Sequence, residues 1–96
     1  MRFHLHPSAE EELDAAVGYY EACQEGLGLK FSEEVYATIA RVTKFPNAWM
    51  AVSEKARRCL VNRFPYGMIY QVKPDGLWII AVANLHQHPD YWRDRI

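Results

Sequence analysis

Cysteine is scarce in this sequence of 96 residues, and its two cysteines do not form a Cys-x-x-Cys pair. The pattern of a zinc ribbon is therefore excluded. Long apolar runs are missing too, because nowhere do about 18 apolar residues follow one another without a charge, as a transmembrane helix would need. The N-terminus lacks the apolar segment and small-residue cleavage site of a signal peptide. We therefore expect a cytoplasmic protein with reduced cysteines.

A large excess of charge of one sign is also missing. Eleven Lys and Arg stand against twelve Asp and Glu, which gives a net charge of −1. A near-neutral chain is not typical of nucleic-acid binders. The charge is nevertheless divided, since residues 1–48 carry four basic and eight acidic groups and residues 49–96 carry seven basic and four acidic groups. This division predicts one polar face of each sign.

What is present is the composition of a folded domain. Apolar residues make up 50% and charged residues 24%, which excludes a disordered chain. The length predicts a single domain over residues 1–96. A core of this size is thin, so a bound partner could supply a meaningful share of the stability.

The first quarter of the chain predicts a strand and then a helix. Residues 2–6 alternate between apolar and polar side chains, as in a half-buried strand. Ser8 and Glu11 have the spacing of a capping box, and apolar residues recur at helical spacing from about residue 8 to 24. The stripe expected to face the core is Ala9, Leu13, Ala16, Val17 and Tyr20.

A second helix is predicted after a tight turn. Gly26-Leu27-Gly28 ends the first helix, and apolar spacing then continues from about residue 29 to 44. The inner face expected for this helix consists of Phe31, Val35, Thr38, Ile39 and Val42. Two amphipathic helices joined so closely predict an antiparallel helical hairpin. Residues 46–56 show no period and are interpreted as a loop, with Trp49 and Met50 against the core.

The last third of the chain predicts strands. We expect strands over residues 59–64, 68–73 and 77–83, separated by turns at 65–67 and 74–76. The third of these is apolar throughout, which is typical of a central strand buried on both faces. The order β-α-α-β-β-β predicts an α+β fold of two layers. In it the N-terminal strand and the antiparallel helical hairpin pack on a mostly antiparallel four-stranded sheet.

Three segments resemble the RelE/ParE toxin superfamily, in the correct order and over nearly the whole chain. HPSAEEELDAAVGYYEACQEGLGLKFSEEV resembles the opening helical hairpin of that family. RRCLVNRFPYGMIYQV resembles its middle strands, and IIAVANLHQHPDYWRDR resembles its last strand and tail. The resemblance implies the toxin of a type II toxin–antitoxin pair, also called a plasmid stabilisation protein.

The resemblance also implies the partners. We expect a cognate antitoxin whose disordered tail folds on the toxin, in a complex such as a heterotetramer. The cellular target is then DNA gyrase or the ribosome. No cofactor, metal, membrane or small-molecule substrate is expected.

The superfamily divides by mechanism. Its RelE-like branch cleaves messenger RNA in the ribosome, and its ParE-like branch poisons DNA gyrase without known catalysis. RNA cleavage needs a base, an acid and cations for the phosphorane charge. By resemblance, a RelE-like mechanism would assign these roles to Arg58, Arg63, His86 and Tyr91. No lysine matches the family's catalytic lysines clearly, and the near-neutral charge also favours the ParE-like branch. A decayed toxin that acts only as a binding module is a third possibility.

Eight residues are candidates for binding a partner. They form a basic stretch with nearby aromatic and histidine side chains, namely Tyr19, Lys55, Arg57, Arg58, Arg63, Tyr66, His88 and Trp92. The basic stretch would contact nucleic acid or acidic residues of the antitoxin; alternatively, it is a solvated strand edge that discourages aggregation.

Histidines could serve other purposes. His86 and Tyr91 could instead hold the tail on the domain. The pairs His4/His6 and His86/His88 have strand spacing that could chelate a transition metal, but we expect no metal site, because no acidic residue or cysteine stands at a supporting spacing.

Overall fold

The computed structural model describes residues 2–96 and places two helices on one face of a five-stranded sheet. Its elements are β1 (Phe3–Leu5), α1 (Pro7–Cys23), α2 (Leu27–Lys44), β2 (Met50–Ala51), β3 (Arg57–Leu60), β4 (Tyr66–Lys73), β5 (Gly76–Asn84) and a 3-10 turn at Arg93–Arg95. The sheet order is β1-β5-β4-β3-β2, with β1 parallel to β5 and every other pair antiparallel. The predicted α+β fold is confirmed, but the sheet has five strands rather than four.

Helix α1 begins one residue before the predicted start. His6 is the N-cap, and its Nδ1 accepts a hydrogen bond from the backbone N–H of Ser8 at 3.0 Å. Pro7 is the first helical residue, a position where its missing N–H costs nothing. The predicted capping box at Ser8 and Glu11 is therefore wrong, because Ser8 already lies inside the helix. The apolar stripe is confirmed, with Ala9, Leu13 and Ala16 buried and Val17 and Tyr20 packed against the core.

The two helices approach each other most closely at the glycine turn. A Cβ added to Gly28 would lie 2.7 Å from the carbonyl oxygen of Val17, so only glycine fits there. Gly26 has a φ of 86°, the left-handed region that glycine adopts without strain. Glu21 accepts hydrogen bonds from the backbone N–H groups of Gly26 and Gly28, both at 3.0 Å. Two donors at the start of α2 are thus satisfied by a side chain of α1.

The middle of the chain departs from the predicted strand boundaries. Strand β3 ends at Leu60, because the chain then turns through Arg63, whose φ is 72°. Strand β4 begins at Tyr66, inside the predicted turn. The predicted loop contains the two-residue strand β2, whose Met50 is 61% exposed rather than packed on the core.

Strand β5 changes face in its middle. Ile69 pairs with Ala81 and Tyr70 with Ile79, so Ile80 is left unpaired as a β-bulge. Leu77, Ile79 and, beyond the bulge, Val82 join the cluster beneath the helices. Ile80, Ala81 and Ala83 join a second cluster on the opposite face. The prediction that this strand is buried on both faces is therefore confirmed.

The C-terminal tail forms the cover of that opposite face. Trp92 is 1% exposed and packs with Ala56, Ile69 and the β5 residues of the second cluster. Within residues 2–96, no helix combines the length and apolar character needed to cross a membrane.

Candidate functional site

Arg57 and Arg58 lie on opposite faces of strand β3. Arg57 donates from Nη1 to the carbonyl oxygen of Trp49 at 2.7 Å. Arg58 pairs with Ile69 of the second cluster, so its side chain lies on the face that the tail covers. Its stem lies over Gly67, where an added Cβ would be 2.9 Å from Arg58 Cδ. Because Gly67 has no side chain, the guanidinium stem packs flat against the sheet.

Lys55 lies just before β3, in the exposed turn after β2. It borders a cavity of about 410 Å³ whose wall includes Arg57 and the polar residues Gln71 and Lys73. Tyr70 closes the cavity floor, and its hydroxyl donates to the carbonyl oxygen of Pro46 at 2.6 Å. Burial raises the pKa of Tyr70 to about 12, so this phenol stays protonated at neutral pH. The cavity therefore presents three cations, Lys55, Arg57 and Lys73, beside the carboxylate of Glu54.

Arg63 points away from the other cations of the basic stretch. Its Nε lies 3.5 Å from Glu34 Oε2 on helix α2, and its side chain is 73% exposed. Arg58, by contrast, lies under the tail side of the sheet. The structure therefore separates Arg58, which lies on β3, from Arg63, which lies in the left-handed turn after that strand.

The tail histidines are exposed. The backbone N–H of His86 donates to Asn84 Oδ1 at 2.9 Å, and His88 Nδ1 accepts from the backbone N–H of Asp90 at 3.2 Å. Leu85, next to His86, approaches the same point above Gly67 as Arg58, since an added Cβ there would lie 3.4 Å from Leu85 Cδ2. The segment that carries His86 is thus brought near Arg58.

The four histidines do not converge. His6 caps helix α1, and His4 stacks on Trp78 with ring centroids 4.6 Å apart. Among residues 2–96, no group of three or more His, Cys, Asp or Glu side chains is placed to hold a metal ion. The first pair of histidines instead stabilises the sheet edge and the start of α1.

Glu12 is the centre of a polar network that the sequence analysis missed. Its carboxylate accepts from Tyr91 Oη at 2.7 Å and from Arg95 Nη1 and Nη2 at 2.9 and 3.1 Å. It also accepts from the backbone N–H of Val82 at 3.1 Å. Arg95 in turn donates to the carbonyl oxygen of Ile80 at 3.1 Å. The network joins helix α1, strand β5 and the tail.

This network completes the edge of strand β5. Strand β1 pairs with β5 only over Leu77–Ile79, so the edge beyond has no neighbouring strand. Glu12 satisfies the N–H of Val82, and Arg95 satisfies the carbonyl of Ile80. Unpaired groups at a sheet edge would otherwise invite pairing with another chain. The Glu12–Arg95 ion pair thus supplies the hydrogen bonds that a neighbouring strand would otherwise make to this part of β5.

The network also fixes the protonation of its members. Burial is the largest cause that raises the pKa of Tyr91, and its hydrogen bond to the Glu12 carboxylate adds to the effect. The same carboxylate, mainly through its hydrogen bonds, raises the pKa of Arg95. Tyr91 therefore stays protonated and donates a hydrogen bond to the Glu12 carboxylate. This bond anchors the tail to helix α1.

The aromatic candidates differ in exposure. Trp92 is buried, so we assign it to packing. Tyr66 is half-buried and contacts Phe31, with ring centroids 4.9 Å apart, whereas Tyr19 is 64% exposed. Tyr19 and Tyr66 both border a cavity of about 400 Å³ that extends along Val82 to Gln87. The two tyrosines therefore line one groove between α1 and β5.

Taken together, the four residues proposed for RNA cleavage are not assembled in one place. Arg63 pairs with α2 and Tyr91 with α1, and only Arg58 and the segment of His86 are neighbours. General acid–base catalysis needs its groups within hydrogen-bond reach of one substrate. The arrangement offers cationic and aromatic surfaces, which suit binding.

The comparisons with known proteins agree with this fold. The model of the family described as "ParE toxin of type II toxin-antitoxin system, parDE" matches residues 3–91. A solved structure titled "Chromosomal ParDE TA system from P. aeruginosa" contains a chain that is 18% identical, with a TM-score of 0.74. The match covers 90% of this chain and 97% of that chain, and shows the same fold. No curated protein matches the chain.

Proposed function

The chain belongs to the family of ParE toxins of type II toxin–antitoxin systems, and we propose that it inhibits growth by contact with DNA gyrase. We further propose that a cognate antitoxin neutralises it. Under this proposal the protein is not an enzyme; it acts by occupying and trapping a larger enzyme.

The dispersed candidate catalytic residues are the observation that carries this proposal. The hydroxyl of Tyr91 donates a hydrogen bond to Glu12 at 2.7 Å, and Arg63 Nε lies 3.5 Å from the carboxylate of Glu34. A ribonuclease would need these groups free and close to one phosphate. The net charge of −1 also gives little attraction to RNA.

The surfaces left open suit a protein partner. Tyr19, which is 64% exposed, and Tyr66 border the groove beside β5. Lys55 and His88 are exposed on the basic side of the molecule. Aromatic side chains are enriched where proteins meet, and an exposed lysine can pair with an acidic group of a partner. We propose that the antitoxin and gyrase use these surfaces.

A RelE-like ribonuclease is the second candidate, and one observation favours it. Arg58 and the residue before His86 meet above Gly67, so a cation and an imidazole could approach one phosphodiester. In this mechanism His86 would act as acid or base and Arg58 would neutralise the phosphorane charge.

Production of the protein alone in bacteria tests these alternatives. We expect growth arrest with gyrase-linked DNA cleavage, no codon-phased cuts in messenger RNA, and recovery when the antitoxin encoded beside the gene is co-expressed. His86→Ala should then leave the arrest unchanged. Codon-phased cuts that fall about 100-fold or more in rate with His86→Ala would instead establish the ribonuclease. An absence of any growth defect would indicate a binding module alone.

A further inference from the structure

Met50 is an exposed methionine whose sulfur is in contact with a cation. It lies on strand β2 and is 61% exposed, whereas Met68, in the cluster beneath the helices, is 0% exposed. Arg58 donates from Nη2 to Met50 Sδ at 3.4 Å. A thioether sulfur is only a weak acceptor, so this contact brings the two side chains together without satisfying the guanidinium fully.

The contact follows from the pairing of the two strands. Met50 lies directly opposite Arg58 in the antiparallel β2–β3 ladder, so both side chains project from the same face of the sheet. The stem of Arg58 lies over Gly67, where an added Cβ would be 2.9 Å from Arg58 Cδ. Strand register and packing therefore hold the guanidinium beside the sulfur.

The guanidinium of Arg58 has hydrogen-bonding capacity left over. Within residues 2–96, the Met50 sulfur is its one hydrogen-bond acceptor, and no carboxylate lies within ion-pair distance of it. Its Nε is buried and has no acceptor. Hydrogen bonds from a cation to a strong oxygen acceptor are roughly twice as strong as neutral ones. A stronger acceptor at the position of the sulfur would therefore be held by this cation.

The surroundings of Met50 leave room for a small oxidant. Met50 and Arg58 both border a cavity of about 450 Å³ at the edge of β3. A peroxide can approach an exposed side chain at such a place, and an added oxygen atom can be accommodated there. Oxidation of a methionine gives a sulfoxide, which is polar and can be reduced again by dedicated enzymes.

We propose that Met50 is a site of reversible oxidation by peroxides, and that the sulfoxide oxygen accepts a hydrogen bond from the guanidinium of Arg58. In the reaction the sulfur attacks one peroxide oxygen, so that an S–O bond forms as the O–O bond breaks. The sulfur loses two electrons, which reduce the peroxide. With hydrogen peroxide, the proton of the transferred oxygen passes to the departing hydroxide, which leaves as water.

Oxidation changes the surface of the molecule and leaves its core intact, because Met50 is exposed. Arg58 is one of the residues predicted to contact a partner, and the sulfoxide occupies its guanidinium without changing the net charge. The oxidised chain therefore offers a partner one accessible cation fewer. The inference depends on the contact between Met50 and Arg58, and the identity of the cellular target does not enter it.

Peroxide treatment of the purified full-length chain tests the site. After exposure to dilute hydrogen peroxide, peptide mapping by mass spectrometry locates the added oxygen. We expect Met50 to be oxidised at least about tenfold faster than Met68, because the buried sulfur becomes accessible only when the core opens. Equal rates at these two methionines would contradict the proposal.

Hydrogen exchange measures the capture of Arg58. A charge-assisted hydrogen bond across β2 and β3 opposes their separation, so amide exchange in this ladder should slow about tenfold in the oxidised chain. Arg58→Leu keeps an apolar stem but has no donor, so oxidation of this variant should leave the exchange unchanged. Unchanged or faster exchange in the oxidised original chain, or the same slowing in Arg58→Leu, would overturn the proposal.

Two further measurements decide the matter if Arg58→Leu fails to fold. Met50→Leu conserves the size of the side chain, and peroxide should not alter amide exchange in its β2–β3 ladder; a tenfold slowing there would count against the site. The side-chain N–H signals of Arg58 in the ¹⁵N-labelled original chain should shift after oxidation and exchange more slowly with water. Unchanged signals would show that the sulfoxide does not hold the guanidinium.

Reversibility is measured on the same oxidised chain. The two methionine sulfoxide reductases, one for each epimer of the sulfoxide, should together restore the original mass and the original exchange rates. Persistence of the oxygen on Met50 would make the oxidation a permanent lesion and overturn the reversible site. None of these measurements involves gyrase or an antitoxin, so their failure leaves the proposed function standing, and failure of the proposed function leaves them unaffected.

Discussion

At the scale of the residue, Glu12 shows the limit of sequence interpretation. It lies in a run of acidic residues at the start of α1, where negative charge is expected because of the helix dipole. Its partners Tyr91 and Arg95 are 79 and 83 residues away. Nothing in the sequence distinguishes Glu12 from Glu11 beside it. The pairing arises only because the tail returns along β5 to the first half of α1.

Replacement of Glu12 by Gln tests the network. An amide side chain keeps one acceptor but places an N–H group toward the donors of Tyr91, Arg95 or Val82. Hydrogen bonds to charged groups contribute more than neutral ones, so we expect Glu12→Gln to lower the free energy of unfolding by about 2 kcal/mol. Urea denaturation at pH 7 measures the change. Glu11→Gln is the matched control on the exposed side of the same helix and should change the stability little.

The same variant has a consequence for pH dependence. The pKa of Tyr91 lies above the 10.0 of an ordinary tyrosine, so the folded chain holds this proton more tightly than the unfolded chain. The resulting stabilisation is complete below pH 10 and is lost as the pH rises through the pKa of the folded state. In Glu12→Gln the pKa of Tyr91 should fall but stay raised, because burial is the larger cause. A Tyr91 pKa unchanged between the two proteins would contradict the hydrogen bond.

At the scale of the element, the sequence predicts the helices better than the strands. The apolar stripes of the helices and the glycine turn are evident in the sequence because both are defined by residues that lie close together along the chain. The end of β3 at Leu60 depends on the left-handed turn at Arg63, and arginine is not a residue that signals such a turn. The bulge at Ile80 is defined by pairing with β4. Likewise, the two-residue β2 exists only through its pairing with β3.

The close approach of the helices at Gly28 can be tested by comparing alanine substitutions at Gly28 and at Gly18. Gly28→Ala would place a Cβ 2.7 Å from the Val17 carbonyl oxygen, so the helices must separate. Overpacking of this kind costs about 1–3 kcal/mol. Gly18→Ala on α1 meets nothing within 4 Å and should stabilise the chain by about 0.5–1 kcal/mol through helix propensity. Thermal or urea unfolding of both variants measures the difference, and equal effects would mean that the helices are not in close contact.

At the scale of the whole molecule, the acidic and basic halves of the sequence correspond to different parts of the fold. The exposed acidic residues of the first half lie on the helical hairpin, and Lys55 and Arg93 are exposed on the strand and tail side. Arg63 instead lies against Glu34 of the hairpin. The tail joins these layers, since Arg95 pairs with Glu12 and Trp92 is buried on the sheet. The sequence indicates polar and aromatic character for the tail. Its course over the sheet depends on contacts with distant residues.

Trp92 tests whether the tail is a structural layer of the domain or an appendage. The indole is 1% exposed and covers Ile69 and Ile80 on the face opposite the helices. Removal of a large buried aromatic side chain costs about 3–5 kcal/mol. In a domain with a thin core, a loss of this size is a large part of the total stability, which is about 5–15 kcal/mol. Trp92→Ala should therefore lower the midpoint of unfolding strongly and increase binding of a hydrophobic dye.

The conservative variant separates packing from other effects. Trp92→Phe keeps an aromatic ring over the sheet and should retain most of the stability, because less buried volume is lost. If Trp92→Ala unfolded at the same denaturant concentration as the original chain, the tail would not belong to the cooperative unit. The sheet would then have only one stable face, and the network around Glu12 would serve the tail alone. A large loss in Trp92→Ala with near-normal behaviour in Trp92→Phe instead makes the domain three layers deep at β5, which gives this short chain a second cluster of buried side chains.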